Sequence, residues 1–258
     1  MSKNYFNGQG KIYLGQRDAN GNPLAMKYVG NAPEFKFSLE ESTQEHKEST
    51  SGLRLTDLRL TTELKAGCNM TLEQLDADNL NLMLFGVSGT QATSAVTGET
   101  IEGSTTPAVG DIYLLDSQNI AALVIKDSSG SPKTLVAGTN YSADTNAGQI
   151  ELLDVTTGGP YTGPLKADYT RTGATTYTKL FAAGAVEYWL RFVGVNTAVS
   201  GSPPVIVDLY RVRLSPAQEM ALINDDVAKF PLEGSVLADA TKTAAGVFGQ
   251  FGRIIMLA

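Results

Sequence analysis

Two side chains bound the chemistry open to this chain: its single histidine and its single cysteine. His46 stands in Glu45-His46-Lys47-Glu48, where it could serve as a general base. No nucleophile motif accompanies it, since GxSxG, GxxxxGK[ST] and HExxH are all absent. Cys68 alternates with Leu64, Ala66 and Met70, which reads as a small buried hydrophobe on a strand. One cysteine can make no intrachain disulfide and no cysteine-based metal site. Asp144-Thr145-Asn146-Ala147-Gly148 resembles the start of a calcium loop but lacks its third ligand and its distal glutamate, so it reads as a turn. Asp225 and Asp226 are adjacent and face apart, as in a solvated turn. Trp189, in Tyr188-Trp189-Leu190, reads as core or subunit interface. The expectation is a protein with no catalytic residues, no cofactor and no metal.

Composition narrows the class further. The chain has 258 residues, 42% hydrophobic and 18% charged, which is enough for a folded core. With 27 acidic against 20 basic side chains its net charge is −7, a poor match to a surface that grips phosphate backbones. The opening MSKNYFNGQG has no apolar core of a secretion signal, and no apolar run is long enough to cross a membrane. Synthesis in a reducing cytosol is expected.

Strands must position whatever this chain uses. Glu34–Glu40 alternates apolar and polar residues, as do Leu53–Thr56, Leu58–Thr61 and Val207–Leu214. Period-2 alternation buries one face of a strand and wets the other, the chemistry of antiparallel open sheets and barrels. Lys11–Arg17 and Pro23–Val29 flank an Asn20-Gly21 turn signal. Val186–Gly194 is expected to pair with Pro204–Leu214, with further strands at Phe230–Leu237 and Arg253–Leu257. Leu75, Leu80, Met83 and Leu84 predict one short helix, capped by Asp76 or Asp78 and stopped at Gly86. Ser215-Pro216-Ala217-Gln218 has the pattern of a capping box and predicts a second helical turn ending near Asn224. Ser42–Gly52, STQEHKESTSG, reads as a long polar loop between two strands.

Residues 93–175 differ from their flanks. Thr, Ser and Gly make up 31 of these 83 residues, and 4 basic side chains face 9 acidic ones. A Ser/Thr/Gly-rich linker opens the segment. Short strands follow at Asp111–Asp116, Ala121–Lys126, Gly148–Leu153 and Leu165–Thr170. The predicted organisation is a mainly β core over 1–92 and 176–258, of sandwich or barrel type with one short helix, interrupted by a small all-β module over 93–175.

An ordered set of segments resembles the major tail tube proteins of long, non-contractile-tailed bacteriophages. It runs from Gly30-Asn31-Ala32-Pro33-Glu34-Phe35-Lys36-Phe37-Ser38 into Glu45-His46-Lys47-Glu48-Ser49. Next comes Asp76-Ala77-Asp78-Asn79-Leu80-Asn81-Leu82-Met83-Leu84-Phe85-Gly86. Leu214-Ser215-Pro216-Ala217, then Ile223–Asp226, then Phe230-Pro231-Leu232-Glu233-Gly234 through Asp239 close the set. The resemblance implies hexameric rings stacked into a tube, whose inner β-barrel passes double-stranded DNA at infection. Its partners would be a tape measure protein in the lumen and the tail terminator and tail tip proteins. Its place would be the virion tail after synthesis in the bacterial cytoplasm, without membrane insertion. Ser42, Glu45, His46, Lys47, Glu48 and Ser49 would reach a neighbouring subunit or ring. Lys36, Ser38 and Glu40, with Arg59, Thr61 and Glu63, are the expected lumen-facing residues. The other function class is a β-sandwich adhesin or carbohydrate-binding module, whose stacking residues would be Tyr113, Tyr141, Tyr161 and Tyr169.

Overall fold

The computed structural model describes residues 5–257 and is mainly β, with 47% of residues in strands and one short helix among the described residues. The first strands are β1 (Gly8–Gln16), β2 (Lys27–Tyr28), β3 (Glu34–Lys47) and β4 (Thr56–Leu72), followed by helix α1 (Ala77–Leu84). Then come β5 (Val87–Gln91), β6 (Ala95–Thr100), β7 (Ile112–Leu114), β8 (Ile120–Lys126) and β9 (Thr134–Leu135). These are followed by β10 (Tyr141–Asp144), β11 (Gln149–Leu152), β12 (Lys166–Arg171) and β13 (Thr175–Lys179). The last are β14 (Glu187–Asn196), β15 (Pro204–Leu214), β16 (Phe230–Val236) and β17 (Gly252–Met256). The chain divides into two compact units, one of residues 1–87 and 178–258, the other of 88–177.

The first unit is built on one antiparallel sheet ordered β2-β1-β14-β15-β16-β4-β3, with β17 attached to β15. Its alternating strands bury Ile12 and Leu14 on β1, Cys68, Met70 and Leu72 on β4, and Leu232 and Val236 on β16. Bringing such side chains out of water is the main favourable term holding the sheet's face closed. On β15 the buried series 205, 207, 209 resumes at 212 and 214, because a bulge opposite β14 inserts one residue between Leu209 and Val212. Helix α1 lays fully buried Met83 on this core. Asp76 caps the helix by accepting the Asn79 amide at 2.8 Å. Phe85, one residue before Gly86, takes the left-handed conformation that ends it.

The predicted helix at Ser215–Asn224 does not form. The segment is drawn into tertiary contacts instead: the Ser215 amide donates to Glu233 O and the Ala217 amide to Met83 O, and Ala217 and Met220 pack on the core. The polar loop is also shorter than expected. Ser42–Lys47 continues β3, because each residue finds a cross-strand partner on β4, as in Glu45↔Arg59 and His46↔Leu58. Conversely, Leu53–Leu55 is loop, with Arg54 at φ 51°.

The second unit pairs a three-stranded sheet, β10-β11-β7, with a four-stranded one, β6-β12-β8-β9. Tyr113, Ile150, Ile125 and Tyr169, drawn from both sheets, share one core. The segment read as a flexible linker is part of this fold. It forms β6 and buries Ile101 and Ser104, whose hydroxyl accepts the Leu165 amide at 2.7 Å.

Asp208 is a fully buried charge of the first unit. Its carboxylate accepts from Arg191 Nε at 2.6 Å and Nη2 at 3.0 Å, and from Arg253 Nε at 3.1 Å, tying β14, β15 and β17 together. Burial pushes its pKa up, but the two guanidiniums outweigh burial and hold it below the ordinary carboxylate value. A depressed carboxylate stabilises the fold above its unfolded pKa, and that contribution fades as pH falls through the folded value. Asp208→Asn should lower stability by about 3 kcal/mol at pH 7 in urea unfolding, because two cations lose their anion. The variant should also lack the acid-induced loss that this carboxylate adds in the native protein; an unchanged pH profile would contradict the assignment.

Candidate functional site

The first unit's sheet is unfinished at one end. β3 is its terminal strand, so the outer edge of 14 residues carries no neighbour. β4 is covered by β16 only from Ala66 to Leu72. Beyond that, β3 and β4 run on as a two-stranded ribbon exposed on both faces. Leu39 is 73% exposed, Leu64 62% and Leu60 50%. A lone two-stranded ribbon is marginal in water, and apolar residues along an open edge invite another chain.

The tip of this ribbon is nonetheless ordered by one carboxylate. Glu48 accepts the Thr50 amide at 2.6 Å, the Ser51 amide at 2.9 Å and the Thr50 hydroxyl at 2.8 Å, and the Ser51 hydroxyl also donates to it. The Ser51 hydroxyl and amide, then the Thr50 hydroxyl and amide, hold its pKa down to about 2. One turn back, His46 Nδ1 lies 2.7 Å from Asp57 Oδ1, and this hydrogen bond lowers the Asp57 carboxyl. Of the six residues expected in the polar loop, Ser42, Glu45, His46 and Lys47 therefore lie on β3, while Glu48 and Ser49 belong to the tip.

A bulge divides the six residues predicted to share a face. Ser42 pairs with Glu63 but Thr43 pairs with Thr61, so Thr62 is the extra residue and inverts the alternation of β4. Lys36, Ser38, Glu40 and Glu63 keep one face. Thr61 and Arg59 turn to the other, where the Thr61 hydroxyl donates to Glu41 and Arg59 Nε to Thr43 Oγ1. The first face is polar across several strands: Lys36, Asn69 and Glu233 are in register, as are Ser38, Gly67, Ser235, Arg213 and Glu187. Lys36 pairs with Glu34, and Lys65 with Glu63 at 3.0 Å, so opposite charges neutralise each other along each strand.

The same inversion hid the exposed leucines. Leu58, Leu60, Leu64, Ala66, Cys68, Met70 and Leu72 occupy alternate positions and read as one buried face. Past the bulge, Leu58 and Leu60 lie opposite His46 and Gln44 on the polar side. The only signal is Thr62, the polar residue that interrupts the series.

Elsewhere the flagged residues make no site. Cys68 is buried and desolvation pushes its thiol up to about 12. Asp144 closes a turn by accepting the Asn146 and Ala147 amides. No group of three metal-ligating side chains occurs among the described residues. Trp189 packs on Tyr210 with ring centroids 4.6 Å apart. Tyr113, Tyr141 and Tyr169 are buried in the second unit's core, and Tyr161 packs partly buried against it. Those rings present no open platform for a sugar. No helix among the described residues is long and apolar enough to cross a membrane.

Residues 5–255 match a family described as Protein of unknown function UCP028589, and the chain belongs to that family. No curated protein matches it.

The Glu48 contacts are strongest with the ionised carboxylate. Order at the tip is therefore full above the usual glutamate pKa of 4.5 and is lost as pH falls toward 2. The backbone amide resonances of Thr50 and Ser51 should titrate together near pH 2, and Glu48→Gln should shift both at neutral pH. Titration near 4.5 would show that the carboxylate does not hold the tip.

Proposed function

We propose that this chain is a structural subunit that assembles with copies of itself into closed rings stacked as a tube, the tail tube of a long, non-contractile-tailed bacteriophage. The observation that carries the reading is the β3–β4 hairpin, exposed on both faces, apolar at Leu39, Leu60 and Leu64, and open along its whole outer edge. The sheet's opposite end is open as well, since the 23–29 segment covers β1 and the residue after it only from Ile12 to Arg17. Two open ends on one sheet permit head-to-tail addition of copies, and a rotation that closes the ring removes every edge.

The polar face of β3, β4 and β16 would line the channel, with Lys36, Ser38, Glu40 and Glu63 toward it. Its charges are paired within strands, so it lacks the basic wall that would hold phosphates and slow DNA. Hexameric closure, the tape measure, terminator and tip partners, and the place in the virion tail follow from the resemblance of the segments given above. Residues 93–175 stand outside that resemblance.

Negative-stain microscopy of concentrated protein should show rings or tubes. Leu64→Asp should leave single-chain stability within about 0.5 kcal/mol, as for exposed substitutions in general, while abolishing assembly. A protein that stays monomeric at every concentration and is absent from virion tails overturns the reading.

A further inference from the structure

The two ends of β4 carry loops of opposite charge. At one end the tip joins β3 to β4, and the carboxylates beside it are already engaged, Glu48 by Thr50 and Ser51, Asp57 by His46. That leaves Lys47 and Arg54, both exposed, and no ion pair takes up either among the described residues. Apolar side chains flank Arg54: Leu53 is 74% exposed and Leu55 57%. Arg54 itself sits at φ 51°, a left-handed backbone that a residue with a side chain disfavours. The tip is thus an ordered knob, apolar and cationic.

The other end of β4 has the complementary character. Phe230, the first residue of β16, pairs with Leu72, the last of β4, so the connection from β15 to β16 arrives there. Its ends are pinned, by the Ser215 amide on Glu233 O, by the Ala217 amide on Met83 O, and by Met220 and Ala228 packed on the core. Its middle is apolar and exposed: Leu222 76%, Ile223 97% and Val227 68%. Glu219, Asp225 and Asp226 against Lys229 make it acidic, and all four are exposed. The 17 residues of β4 between the two loops span about 50 Å at ~3.3 Å per residue, so the fold keeps the loops of one chain apart.

We infer that the Leu53–Leu55 tip of one copy docks on the Leu222–Val227 loop of the next, head to tail. Lys47 and Arg54 meet Glu219, Asp225 and Asp226, and the leucines of the tip leave water against Leu222, Ile223 and Val227. Glu48 has already ordered the tip, so docking costs little further loop entropy. A contact between opposite ends is heterologous and repeats along the strand direction, so it propagates rather than closes. This rests on the self-assembly reading: the open sheet edges close a ring, and the tip and the acidic loop stack one ring on the next.

The test mixes two variants of the full chain, Leu53→Cys and Ile223→Cys, under mild oxidation. Native Cys68 is buried and stays silent. The mixture should give a disulfide-linked dimer that neither variant gives alone, and replacing Leu53→Cys by Ile112→Cys, an exposed site in the second unit, should give none. Lys47→Glu/Arg54→Glu should keep rings and lose stacking, and adding Asp225→Lys/Asp226→Lys to the same chain should restore tubes. Wild-type tubes without the crosslink, or tubes that survive Lys47→Glu/Arg54→Glu, overturn the inference and leave the assembly reading standing. The crosslink without rings or tubes supports the contact and overturns the tube.

Discussion

Everything distinctive about this chain follows from an incomplete sheet. A β-strand has two rows of backbone donors and acceptors, and in water an uncovered row is an attachment point for another strand. Among the described residues the first unit leaves such rows open along the outer edge of β3, the first half of β1 and the free side of β17. Proteins that must stay monomeric blunt their edges with short strands, prolines or inward charges. Here the longest edge belongs to a 14-residue strand with leucine and phenylalanine on it. On the proposed reading a copy of the chain is the neighbour that covers this edge.

The interior must then hold the open edges rigid without help from the missing neighbours. Covalent continuity contributes little, since β3 and β4 join only through the tip. The stiffness comes from the base, where Cys68, Met70 and Leu72 lock β4 onto β16 and the core. On the far side, the Asp208 carboxylate ties three strands by charge-assisted bonds. The opposing demands meet in β4. Its C-terminal third is buried and fixes the register, and its N-terminal two thirds are left exposed.

The mainly β class was legible because alternation is a direct signature of a half-buried strand, and the pairing of β14 with β15 was legible for the same reason. What failed did so for local reasons with distant causes. The capping-box pattern at Ser215 is sound chemistry, but tertiary contacts hold the segment in another conformation, with its Ser215 and Ala217 amides on the Glu233 and Met83 carbonyls and its Ala217 and Met220 side chains on the core. The polar run from Ser42 reads as loop because strand signals are signals of burial, and this strand is paired without being buried. One inserted residue at Thr62 then separated Arg59 and Thr61 from the face they were assigned to. Edges, bulges and tertiary capture are properties of pairs of segments, and a single segment does not carry them.

Charge is the point where composition and geometry part company. The net −7 suggests an acidic object, yet 93–175 holds −5 of it and leaves −2 for the rest. On the polar face the relevant quantity is smaller still. Lys36 is matched by Glu34 two residues away, and Lys65 by Glu63. Counterion release, which drives proteins onto DNA, needs cations free to replace sodium at phosphates. A cation already paired on its own strand must first give up its carboxylate, and the carboxylate then repels the phosphate. Local pairing thus makes a surface indifferent to DNA at either sign of net charge, and that indifference is what a channel wall for a sliding polyanion requires.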